Sequence, residues 1–106
     1  MTTRYLAHAV LHEGRTYRNS IVHIEDGKVI ITPFAGETQS TIFVPGLIAV
    51  CAESRTTDAD RRSMHYKVQN APLVESAIRR VSEYIKSAGL SVHDDDRPVL
   101  VMLPRK

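Results

Sequence analysis

The sequence predicts an α+β fold: a small antiparallel, sandwich-like sheet of about five strands, one main amphipathic helix and a buried C-terminal strand. Three observations predict it. Asp26-Gly27 lies between two apolar alternating runs. Apolar residues recur at helical spacing between positions 70 and 88. Val-Leu-Val-Met-Leu at 99–103 is a short apolar run between Pro98 and Pro104.

Arg4 to His12 reads as the first strand, with Tyr5, Ala7, Ala9 and Leu11 on one face and Leu6, His8, Val10 and His12 on the other. Glu13-Gly14-Arg15 is a turn signal. Tyr17 to Glu25 is a second strand and Lys28 to Thr32 a third. Asp-Gly suits a type I′ turn, which needs φ > 0 at both central residues. That turn sets Glu25 opposite Lys28, Ile24 opposite Val29 and Val22 opposite Ile31. Apolar residues on both faces predict a sheet covered at least partly on both sides.

Residues 33–40 read as a loop, Thr41–Val44 as extended, Pro45-Gly46 as a bend and Leu47–Cys51 as a buried strand. Two readings stay open for residues 57–68. Thr57-x-x-Asp60 is an Asp variant of a capping box and starts a helix, whereas Met64, Tyr66 and Val68 alternate like a strand. Asn70 is placed to cap the main helix, Pro72 lies in its first turn and Gly89 ends it. Its apolar stripe is Leu73, Val74, Ala77, Ile78, Val81, Tyr84, Ile85 and Ala88. Strand, helix and strand in succession predict a parallel crossover from Leu47–Cys51 to Val99–Leu103.

A chain of 106 residues predicts one domain, 1–106. Within it, 1–52 is mostly β, 53–69 is a polar connection, and 70–106 carries the helix and last strand. A single cysteine excludes an intrachain disulfide. Arg4 and His8 interrupt any signal-peptide core, and no apolar run reaches the roughly 20 residues of a membrane helix, so a cytoplasmic protein without a membrane partner is expected. A net charge of +2, with bases scattered among acids, points away from nucleic acid.

Residues 5–50 resemble the N-terminal β-sandwich portion of the amidohydrolase superfamily. The likeness is carried by Ala9-Val10-Leu11, by the hairpin from Ile24 to Ile30, and by Phe43-Val44-Pro45-Gly46-Leu47-Ile48. In that family the Pro-Gly-Leu-Ile step leads to an aspartate and then a His-x-His zinc motif. Ala49 stands in place of the aspartate, Cys51 of the first histidine and Glu53 of the second. The family's catalytic barrel needs roughly 200 residues or more, and the chain has only 53 residues after Glu53. The resemblance therefore implies the sandwich scaffold without the hydrolase activity.

Other chemistry is weighed on the residues themselves. Cys51 and Glu53 are candidate zinc ligands, because thiolate and carboxylate both bind the ion; Cys51 within Ile-Ala-Val-Cys-Ala also reads as a buried small hydrophobe. His8, His12 and His23 form a second candidate set. His8 and His12 would lie about 13 Å apart on an ideal strand, too far to share one ion. A Cys51 nucleophile needs a base such as His65 or His93. Asp94-Asp95-Asp96 lacks EF-hand spacing and reads as a solvated turn. Ser54-Arg55-Thr56-Thr57 and Arg105-Lys106 could meet an anion, against the simpler reading of a loop and a tail. No catalytic, cofactor-binding or metal residue is assigned and no cofactor is expected. The expected role is a non-catalytic interaction or scaffold module that self-associates or binds a protein. The alternatives are an accessory subunit completing a hydrolase in trans, or a small-ligand or metal-binding protein using Cys51 and the strand histidines.

Overall fold

The computed structural model describes residues 2–36 and 40–105. The sheet has five strands: β1 (Arg4–His12), β2 (Arg15–Glu25), β3 (Lys28–Pro33), β4 (Thr41–Ala52) and β5 (Pro98–Pro104). Helices α1 (Asp58–Gln69) and α2 (Val74–Ala88) lie between β4 and β5, after a 3₁₀ turn at Glu53–Arg55. Part of the loop expected at 33–40 lies outside the described residues; the rest joins β3 to β4.

The strand order is β3-β2-β1-β4-β5. The Asp26-Gly27 turn has φ of 52° and 77°, and the expected pairs Glu25–Lys28, Ile24–Val29 and Val22–Ile31 all form. Two expectations of the topology are corrected. The sheet is mixed, because β1 and β4 run parallel. The last strand lies antiparallel to β4, with Ala49 opposite Val101 and Cys51 opposite Val99. Two helices instead of one explain this reversal. The chain traverses the sheet twice and returns to β5 from the end where β4 stops.

Strict alternation along β1 also fails. Ala7 joins one apolar cluster with Val10 and Val22, while Ala9 joins the other with Leu11 and Leu47. Three irregularities line up there. Asn19 of β2 has φ 46°. The β1–β4 register shifts between Ala7 and Ala9. Ala7 pairs with Val44 and Ala9 with Leu47, so β4 supplies one extra residue at Pro45-Gly46. Such bulges increase local twist and exchange which face a side chain meets.

Both sheet faces are covered in part. On one, Ala9, Leu11, Leu47, Ala49, Cys51, Val101 and Leu103 meet the buried face of the helices, including Met64, Val68, Ala77 and Val81. On the other, Val10, Val22, Ile48 and Val50 are buried, and the partly buried Val92, Leu100 and Met102 pack against them. A small cavity touches both Lys28-Val29 and Val92–Asp94. In a flat sheet, strands four places apart would be roughly 19 Å from each other. The sheet therefore curls so that the start of β3 approaches the segment leading to β5.

The open reading for 57–68 resolves as helix. Thr57 Oγ1 accepts from the Asp60 backbone N–H at 3.1 Å, and Asp60 Oδ2 accepts from the Thr57 backbone N–H at 2.9 Å. Asn70 caps the end of α1, not the start of α2, which begins after Leu73. Leu73, expected in the apolar stripe, thus falls outside it and is 63% exposed. Ala88 is also exposed, while Ala77, Ile78, Val81 and Ile85 are buried as the periodicity requires. Gly89 ends α2 as expected, at φ 68°.

Candidate functional site

The β1–β2 turn builds one side of a cleft. Glu13 and Gly14 both have positive φ, 50° and 76°, so the chain reverses within two residues. His12 Nε2 lies 3.1 Å from Glu13 Oε1. Burial holds the His12 pKa below its ordinary value, with Glu13 opposing that shift. Among the described residues its buried Nδ1 has no hydrogen-bond partner. The C-terminal half of α2 faces this turn across a cavity of about 240 Å³. Leu11, Val50 and Ile85 supply its apolar wall; Arg15, Ser82, Glu83 and Lys86 supply polar groups. The cavity sits where the parallel strands β1 and β4 reach their carboxyl ends, the place where open α/β sheets hold ligands.

A second surface lies on the half of the sheet that the helices leave uncovered. Phe43, Leu6 and Ile21 are direct cross-strand neighbours on β4, β1 and β2. Direct neighbours share a face, and this one is opposite to Val22 and Val44 of the buried cluster. Phe43 is 52% exposed. The His8 ring meets it edge-on, 5.4 Å between centroids.

The residues singled out from sequence do not converge. Cys51 is fully buried on the helix-facing side of β4, and burial pushes its thiol up to about 11. A thiol so buried stays protonated at neutral pH and is a poor nucleophile. Glu53 is beyond the strand, exposed in the 3₁₀ turn. His8 is exposed, His12 half-buried and His23 buried, its Nδ1 without a hydrogen-bond partner among the described residues. Among the described residues no three His, Cys, Asp or Glu side chains are placed to share a metal ion.

The suggested anion sites are also occupied by structural bonds. Arg55 binds Asp96 and the carbonyls of Gly89 and Ser91. Thr57 caps α1. Arg105 donates to the carbonyls of Ala71 at 2.8 Å and Pro72 at 3.0 Å; Lys106 lies outside the described residues. Asp96 also accepts the His93 backbone N–H at 2.8 Å, whereas Asp94 and Asp95 are exposed.

Sequence reasoning missed Arg15, Ser82, Glu83 and Lys86. Ser82, Glu83 and Lys86 lie outside the apolar stripe of the helix, and Glu13-Gly14-Arg15 read only as a turn. Phe43 was visible as a large apolar residue before Pro45, without any sign that no helix would cover it.

Comparison with known protein families, curated proteins and solved structures returns no match. Among the described residues, no helix is long and apolar enough to cross a membrane.

Proposed function

We propose that this chain is a non-catalytic interaction module that pairs with a second copy of itself through the uncovered half of its sheet. The observation that carries the reading is Phe43, half-exposed at the end of a cross-strand row with Leu6 and Ile21. Fully burying a Phe side chain stabilises by roughly 1.5–3 kcal/mol, so a two-fold contact that covers the row twice has a driving force. The sheet edges are less suited to this. Pro98 and Pro104 bound β5, and Lys28 and Pro33 bound β3, features that blunt edge-to-edge pairing.

The amidohydrolase likeness supports a scaffold kept without its metal ligands. A cytoplasmic setting agrees with a single cysteine held as a buried free thiol. Sedimentation equilibrium across micromolar to millimolar concentrations tests the pairing. The native chain dimerises, and Phe43→Lys stays monomeric with its melting temperature retained at the lowest concentration. A native chain that is monomeric throughout overturns the proposal.

A further inference from the structure

We infer that the cleft between the β1–β2 turn and α2 binds a small zwitterion with an apolar side chain, of the size and chemistry of a free hydrophobic α-amino acid. Three observations carry this independently of the proposed dimer. The first is size. The cavity of about 240 Å³ falls below the roughly 300–1,000 Å³ of pockets for drug-sized ligands. A small ligand is enough to fill it.

The second is the wall. Leu11, Val50 and Ile85 are each less than a tenth exposed and line the cavity, so an aliphatic chain finds an apolar floor already formed. The third is charge. Arg15 and Lys86 bring two positive charges to the cavity, and Glu13 and Glu83 bring two negative ones. The formal sum is zero, so neither a simple anion nor a simple cation is favoured overall. A molecule carrying both charges finds a partner for each.

Arg15, Glu83 and Lys86 make no ion pair among the described residues, so their bonding capacity is open. Glu13 Oε1 lies 3.1 Å from His12 Nε2, so its carboxylate stands at the cavity rim as an acceptor for an ammonium group. Loss of either ligand charge should therefore weaken binding by about tenfold or more.

The test is an amide NMR titration of the full chain with L-leucine, 4-methylpentanoate and 3-methylbutylamine. The last two keep the aliphatic chain and remove the ammonium and the carboxylate respectively. Leucine should give saturable shifts at Gly14, Ser82, Lys86 and Ser91, with each analogue about tenfold weaker. Lys86→Gln should weaken leucine and leave 3-methylbutylamine nearly unchanged. Ser82→Leu should fill the cleft and abolish the shifts while the melting temperature shows a folded chain. Shifts that do not saturate with leucine overturn the inference. So does 4-methylpentanoate or 3-methylbutylamine binding as tightly as leucine.

Discussion

Arg55 holds Asp96 with both arms of its guanidinium, Nη1 to Oδ1 at 2.9 Å and Nη2 to Oδ2 at 2.8 Å. The same side chain donates from Nε to the Gly89 carbonyl at 2.9 Å and from Nη2 to the Ser91 carbonyl at 2.6 Å. One residue in the turn after β4 thus fastens the end of α2 and the segment leading into β5. Backbone bonds from Ala52 to Leu90 and from Glu53 to Arg97 run beside it, at 2.8 and 2.9 Å.

This clasp has a defined pH dependence. The Arg55 side chain, then the His93 backbone N–H, hold the Asp96 carboxyl below its ordinary pKa. A carboxyl with a depressed folded pKa stabilises the fold above its unfolded value, near 3.9, and loses that stabilisation as pH falls through the folded pKa. Asp96→Asn should melt below the native chain at pH 7. The gap should close as the pH drops below about 4. Thermal melts across that range check it, and a gap that is constant with pH would show that Asp96 acts without its charge.

Gly46 lies opposite Pro104 in the β4–β5 ladder. A Cβ built there would meet the Leu103 carbonyl oxygen and come within 2.7 Å of the Arg105 nitrogen. Both are backbone atoms and cannot swing aside. Gly46→Ala should therefore destabilise by about 1–3 kcal/mol, the usual range for overpacking. It should also loosen Arg105, whose backbone N–H donates to the Pro45 carbonyl at 2.7 Å. Denaturant melts measure the loss, and an unchanged midpoint would refute the close approach.

Cys51 offers a probe of opening. Its thiol is fully buried and its pKa stands at about 11. Native-state alkylation at pH 8 should be slower than in denaturant by orders of magnitude, because both exposure and the thiolate are lacking. The raised pKa also means that the unfolded chain releases this proton first as pH rises. Stability should fall between about pH 9 and 11, by up to about 3 kcal/mol from this group. Cys51→Ala should show a shallower decline over the same window, and an equally steep one would assign the effect to other groups.

Much of the local structure was legible in the residues. Asp26-Gly27 set the β2–β3 register because its turn type admits only one pairing. The Thr57–Asp60 box was readable as a helix start, although the alternation of Met64, Tyr66 and Val68 competed with it until packing decided. Asn70 was misassigned for a plain reason: the same side chain that can cap a following helix can close the preceding one, where its Nδ2 reaches the Tyr66 carbonyl. The candidate cleft was barely legible, since its charged groups come from the β1–β2 turn, β2 and α2 and share no local pattern.

The amino-acid order by itself determined the α+β class, the β2–β3 hairpin, the centre of the α2 stripe and the apolar last strand. Each depends on residues a few positions apart, where turn chemistry and periodicity act. Tertiary structure alone decided the parallel β1–β4 pairing, the reversal of β5, the exchange of faces at the Asn19–Pro45 line, and the exposure of Phe43. Those outcomes depend on which distant segment fills a given space. Pro45-Gly46 shows both sides: the sequence marks it as a bend, and only the approach of β5 reveals why the glycine cannot carry a side chain.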